Sequence, residues 1–355
     1  MSRGTVAVGL SGGVDSSAAA ALLLEAGYDC IGVTMRHLPA EAANSCCSLE
    51  AVVDARRVAK KLKIPHYLVD VEEAFRDRVI TPFEEGYLSG VTPNPCAMCN
   101  RYIKFGKLWD WAREAGADYI ATGHYARVLE GSEGLELWRG QSRDKDQSYI
   151  LYTLTQQDLE HILFPVGSLD KGAVRALAED RGLVTAHKPD SQELCFVASN
   201  DYRSYLREHR PEAVNEGRIV DTGGREVGRH QGIAFYTVGQ RRGLGMSSPI
   251  PLYVLGVNPD ANEVVVGPRE DGLVSTLHVT GVAGPGVPVG PVRGTLQVRA
   301  HGHARPASWT PTAEEAADVE FAAPEWGVTP GQVAVLYAGD RLLAGGRITQ
   351  GIGRP

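Results

Sequence analysis

With 355 residues, 43% of them hydrophobic and 22% charged, the chain can bury a full core and exceeds the usual length of one domain, so two or three domains are expected. A net charge of −7 disfavours a protein that coats nucleic acid by charge alone, although Val91–Leu108 and Gly272–Ala313 are acid-free and carry arginines, lysines and histidines. The start runs into an apolar stretch too short for a signal sequence and no run of about 18 apolar residues occurs, which predicts a soluble cytoplasmic chain with no membrane partner.

In chain order, Thr5–Leu10 reads as a buried strand, Ser16–Ala26 as a helix closed by Gly27, and Cys30–Met35 as a second strand. Ser48–Leu62 has helical spacing, Pro65–Val71 is a third strand, Tyr102–Ala115 is a helix and Ala117–Thr122 a fourth strand. This alternation predicts an α/β fold, a doubly wound parallel sheet with helices on both faces. After Arg210 helical periodicity fades. Two hairpins are expected, Arg218–Val220 with Glu226–Gly228 and Tyr253–Val257 with Glu263–Val266. The Pro- and Gly-dense stretch Gly281–Gly290 reads as a boundary before a final β-rich unit.

The first strand is followed by Ser11-Gly12-Gly13-Val14-Asp15-Ser16-Ser17 and then an Ala/Leu helix. Two glycines allow a sharp turn and close approach to an anion, while amides and the helix dipole attract it. Asp15 is an odd neighbour for a polyphosphate unless it caps the helix or holds magnesium. No Gly-Lys-Ser/Thr is present, so this is not the loop that serves γ-phosphate chemistry. The segment resembles the pyrophosphatase loop of the N-type ATP pyrophosphatases, which implies cleavage of ATP between the α and β phosphates to activate a carbonyl or carboxylate oxygen.

Six cysteines, all in the first 200 residues, are too few and too lopsided for a secreted disulfide scaffold. Cys96 and Cys99 form a Cys-x-x-Cys ahead of Arg101, Lys104 and Lys107, a setting that favours thiolates. Half of a zinc site is the competing reading, with only the adjacent Cys46 and Cys47 as a second pair. Cys195 stands in the polar loop Asp190-Ser191-Gln192-Glu193-Leu194-Cys195-Phe196.

Together with Thr122-Gly123-His124-Tyr125, Lys145-Asp146-Gln147-Ser148-Tyr149 and Tyr236-Thr237-Val238-Gly239-Gln240-Arg241, these segments resemble the tRNA-specific 2-thiouridylases over nearly the whole chain. The resemblance implies an ATP pyrophosphatase domain (1–205), a small central tRNA-contacting domain (206–275) and a C-terminal tRNA-contacting β-barrel (276–355). It implies 2-thiolation of the wobble uridine in the tRNAs for Lys, Glu and Gln, with ATP, magnesium and a sulfur-donor or sulfur-relay protein. Gly9, Leu10, Ser11, Gly12, Gly13, Val14, Asp15, Ser16, Met35 and Gly123 would bind ATP. Cys99 would be the nucleophile and Cys195 the persulfide carrier. Asn94, Pro95 and Cys96 would meet the target base, and His124, Lys145, Asp146, Gln147, Arg299 and Gln350 the tRNA.

Two departures stand out. Many relatives have Asp at Cys96, which leaves open an iron–sulfur cluster on Cys96, Cys99 and Cys195. The run Arg299-Ala300-His301-Gly302-His303-Ala304-Arg305 replaces a basic-aromatic-basic pattern. The competing functions are an amidating ligase of the same superfamily, which would need an ammonia source, and a non-enzymatic zinc-stabilised RNA-binding protein.

Overall fold

The computed structural model describes residues 2–38, 49–189, 194–197 and 201–353; Cys46, Cys47, Asp190–Glu193 and the side chain of Gln350 lie outside the described residues. The first seven strands are β1 (Thr5–Gly9), β2 (Asp29–Arg36), β3 (His66–Asp70), β4 (Tyr119–Ala121), β5 (Ala126–Gly131), β6 (Gly134–Arg139) and β7 (Ile162–Leu163). Five of them form a parallel sheet in the order β3-β2-β1-β4-β7. The central strand β1 is covered on both faces: Val6, Ala7 and Val8 are fully buried, which is why its sequence is an unbroken apolar run. The chain leaves β1 to build outward through β2 and β3, then returns to the other side of β1 with β4. That reversal opens a crevice at the carboxyl ends of β1 and β4.

Helix α1 (Val14–Glu25) starts in that crevice and is buried over most of its surface, wedged between the sheet, α2 (Leu49–Leu62) and the helix Lys171–Asp180. Gly27 follows it at φ +87, the left-handed turn a side chain would resist. The helix expected from Tyr102 begins seven residues earlier. Pro95–Cys99 is α-helical, Asn100–Lys107 widens to a π-helix, and Leu108–Glu114 is α-helical again, without a break. Pro95 at the first helical position and Asn94, whose Oδ1 accepts the Ala97 amide at 3.1 Å, set the earlier start. π segments of this kind occur often at functional sites.

Both expected hairpins are present, as β8 (Gly217–Asp221) with β9 (Glu226–His230) and β10 (Tyr253–Asn258) with β11 (Glu263–Gly267). They join through a parallel β8–β11 pairing into the sheet β10-β11-β8-β9. Ile219, Val254, Val264, Val266 and Phe235 of this unit pack with Phe83, Tyr87 and Leu206 from the preceding helices.

The last six strands, β12 (Leu273–Ala283), β13 (Val292–Gln297), β14 (Arg305–Ala313), β15 (Ala316–Trp326), β16 (Val333–Ala338) and β17 (Arg341–Gly353), close into a barrel through the β12–β17 pairing. Leu296, Trp309, Val319, Leu336 and Ile348 fill it. The expectation of a boundary at Gly281–Gly290 is corrected: β12 already belongs to the barrel, and that stretch holds the β12–β13 connection. The hairpin β5–β6 lies in sequence within the α/β unit but extends the barrel sheet, with Leu137 opposite Leu342 and Trp138 opposite Arg341. A single apolar cluster therefore runs from Ala7 and Val33 through Leu137 to Val335 and Tyr337. Among the described residues no helix is long and apolar enough to cross a membrane.

Candidate active site

The crevice at the end of β1 holds the phosphate loop. The Leu10 amide bonds Val33 O at 2.7 Å and its carbonyl accepts the Thr34 hydroxyl at 2.8 Å, so the loop departs from a fixed point. Gly12 turns at φ +71, and a Cβ there would strike the Ala51 carbonyl. Ser16 Oγ accepts the Ser11 amide at 3.2 Å and donates to Gly13 O at 3.1 Å. Ser17 donates to Gly13 O at 2.8 Å and accepts from Thr185 at 2.9 Å. The result is a preformed cradle at the N-terminus of α1, where first-turn amides have no intrahelical acceptor and the dipole favours an anion.

Gly123, at the end of β4, closes the other wall. Its Cβ position lies 2.6 Å from the Asp15 carbonyl carbon and the Ser16 amide nitrogen, so only glycine lets the two loops meet. Asp15 does not cap α1; Gly13 is the N-cap, without a side-chain bond. Asp15 instead accepts the Tyr125 hydroxyl at 2.7 Å and lies 2.8 Å from Lys171 Nζ through both carboxylate oxygens. Lys171 and Tyr125 are not among the residues that the sequence places at this site. Tyr125 stands inside the Thr122–Tyr125 motif, whereas Lys171 has only the helix start marked by Asp170 as a local signal. It reaches Asp15 because its helix packs along α1 through Val174 and Ala178, bringing the two N-termini together. Its ammonium fills the place on Asp15 that a divalent cation would take.

Two of the thiols share one apolar cluster. Cys99 and Cys195 are half-buried and both pack on the cluster of Leu38, Val71, Phe75, Val79 and Ile103. Phe196 anchors the second thiol's loop by edge contacts to Phe75 and Phe83, with centroids 5.9 and 5.0 Å apart. Met35, at the end of β2, touches this cluster and the main core beside β1. Cys96 is exposed and sits in the first turn of the helix, nearer its positive end than Cys99. The expectation that both thiols precede a helix is thereby revised. Among the described residues no three of His, Cys, Asp or Glu are grouped so that they could hold a metal ion.

The residues expected at the tRNA divide. Lys145 is half-exposed. Arg299 is exposed, with Glu325 3.8 Å away, and Gln350 pairs through its backbone with His278. His124 is 5% exposed, its Nδ1 2.8 Å from Thr122 Oγ1, and burial together with nearby Lys104 holds its pKa well below 6.5. The ring is packed between Phe105 and Phe164. Asp146 is equally internal: it ion-pairs with Arg139 at 2.7 Å, accepts the Gly140 and Ser148 amides, and accepts the Ser148 hydroxyl. Arg139 lies over the Tyr337 ring at 3.6 Å and donates to Gln297. Gln147 and Tyr125 exchange bonds, each at 3.0 Å. Asp146 and Gln147 thus lie on a path of polar contacts from barrel residues Gln297 and Tyr337 to Tyr125.

A family model described as a tRNA methyl transferase HUP domain matches residues 4–199, a tRNA methyl transferase PRC-barrel domain 203–268, and an aminomethyltransferase beta-barrel domain 280–348. The tRNA-specific 2-thiouridylase MnmA of Desulfitobacterium hafniense is 44% identical, covering 97% of both chains. The proteins of that name from Carboxydothermus hydrogenoformans and Symbiobacterium thermophilum are each 46% identical over 98% of this chain and 98% and 92% of theirs. With this agreement over the full length, on an ATP-binding HUP fold, the chain belongs to the tRNA-specific 2-thiouridylase family, enzymes that thiolate tRNA.

Proposed function

We propose that the enzyme adenylates O2 of the wobble uridine in the tRNAs for Lys, Glu and Gln and replaces that oxygen with a sulfur carried on Cys195. The observation behind this reading is that Cys99 and Cys195, far apart in sequence, border one apolar cluster that is also touched by Met35 of β2, the strand paired with β1.

Uracil O2 is a poor leaving group, and attack on the ATP α-phosphorus converts it to AMP while pyrophosphate departs. The amides at the start of α1 and Lys171 stabilise the negative charge that develops on that pyrophosphate. Magnesium bound through the phosphates themselves would supply further charge neutralisation there. The terminal sulfur of a Cys195 persulfide attacks C2 and expels AMP. Cys99 thiolate then attacks the Cys195 sulfur, forming a Cys99–Cys195 disulfide and releasing 2-thiouridine. The sulfane sulfur gains two electrons and the two thiols lose them, so a dithiol reductant must restore the enzyme. A sulfur-donor or sulfur-relay protein reloads Cys195. The target base leaves its stack at low cost because it lies in a loop. No step passes through a metal cluster.

Mass spectrometry of tRNA incubated with ATP, magnesium and a persulfide donor tests this. Cys99→Ser and Cys195→Ser should each abolish 2-thiouridine while retaining ATP binding, whereas Cys96→Ser should retain thiolation. Full thiolation by Cys99→Ser would remove that residue from the mechanism.

A further inference from the structure

Val227–Pro259 contains no Asp or Glu but carries Arg229, Arg241 and Arg242. Within its loop from Gly239 to Ser248 lies an open pocket of about 390 Å³ whose polar wall is Arg241, Gly243, Gly245, Ser247 and Ser248, and whose apolar wall is Leu244, Met246, Ile250 and Leu252. Gly239, Gly243 and Gly245 hold φ values of +90, +75 and +69, so the loop presents bare backbone where other residues would carry side chains. Arg203, from the neighbouring helix, lies against the same wall, its Nη1 3.4 Å from the Cβ position of Gly243. Around that guanidinium stand Tyr202, Tyr87 and Tyr236, and its buried Nε has no hydrogen-bond partner among the described residues. None of Arg203, Arg241 and Arg242 forms an ion pair among the described residues, although most arginines of the α/β unit do. Three cations without counter-ions, around backbone laid open by glycine, are the chemistry of an anion site.

The root of the loop fixes where that anion lies. Thr237 Oγ1 is 3.4 Å from Thr92 Oγ1, and Val238 O accepts from barrel Thr329 at 3.5 Å. Gln332 of the barrel donates to Thr92 O and Pro93 O. All three structural units therefore meet two residues ahead of Asn94-Pro95-Cys96.

We propose that the Gly239–Ser248 loop, with Arg203, Arg241 and Arg242, is a phosphodiester site that grips the tRNA backbone as the target base enters beside Cys96. The inference rests on tRNA being the substrate, but not on adenylation or the persulfide. Its test is accordingly RNA binding alone, without ATP or sulfur donor: an anticodon stem–loop titrated at several salt concentrations against the wild type, Arg241→Gln/Arg242→Gln and Arg203→Gln. The exposed double variant should weaken binding roughly tenfold and lower the log–log salt slope by about 1.5, because two phosphates would go without a cation. ATP affinity should not change. An unaltered slope in the double variant overturns the site. So does unchanged RNA binding combined with inorganic phosphate or pyrophosphate protection that only the wild type shows, since the pocket would then take a free anion. A wild-type slope regained by Arg241→Lys/Arg242→Lys supports it, because charge rather than shape would be restored.

Discussion

Gly123→Ala tests whether the wall of the phosphate crevice is as tight as its geometry indicates. The added methyl would lie 2.6 Å from Asp15 C and Ser16 N and 2.8 Å from Asp15 Cβ. Relief to ordinary contact needs the two loops to part by about 0.8 Å, and two of the three opposing atoms are backbone that cannot swing aside. Overpacking of this kind costs about 1–3 kcal/mol, a fall of roughly 2–12 °C in Tm at about 2–4 °C per kcal/mol for a unit of this size. The catalytic cost is larger than the stability cost. Misplacing a reacting group by close to 1 Å lowers rate on the order of 100-fold, so pyrophosphate release should fall by that factor with the fold retained. The assay pairs tRNA-dependent pyrophosphate release with thermal unfolding. Wild-type release by Gly123→Ala would refute the reasoning, whatever its Tm.

Lys171→Met removes the ammonium on Asp15; pyrophosphate release should drop on the order of 100-fold, and an unchanged rate would reduce Lys171 to a counter-ion. Asp146→Asn strands the internal Arg139, whose side chain is 12% exposed, and should cost about 3 kcal/mol in thermal unfolding. A loss below about 1 kcal/mol would mean that Tyr337 and Gln297 hold Arg139 unaided. His124 is neutral in the fold with its pKa below 6.5, so the unfolded chain binds the extra proton. Stability should be unaffected by this group above pH 6.5 and decline as pH falls below it, and His124→Phe should flatten that decline. An identical acid profile in the variant would exclude His124 as the cause.

Features whose causes are local are legible in the sequence. The β1 run of Val6–Val8, the turn at Gly27, both central hairpins and the glycine pair of the phosphate loop each announce themselves within a few residues. The early helix start at Pro95 is equally local, written in Asn94 and Pro95, yet the stronger apolar pattern begins only at Tyr102. Gly281–Gly290 reads as a boundary because a long loop inside a barrel and a linker between domains share a composition. Only pairing of β12 with β15 and β17 tells them apart. Likewise, a polar motif such as Lys145-Asp146-Gln147 has the composition of a binding surface, and only the tertiary hydrogen bonds show that Asp146 turns to Arg139 and Gln147 to Tyr125.

What the sequence by itself determined is the order of elements, the phosphate loop and the identity of the thiols, because each depends on conformational preferences and chemistry carried by adjacent residues. The tertiary structure alone decided that Lys171 answers Asp15 across 156 positions. It also decided that Cys99 and Cys195 pack on one apolar cluster and that β5–β6 leaves its own unit to extend the barrel sheet. Those contacts arise where the first turns of two packed helices meet and where buried faces find each other, and nothing local in the chain encodes such a meeting.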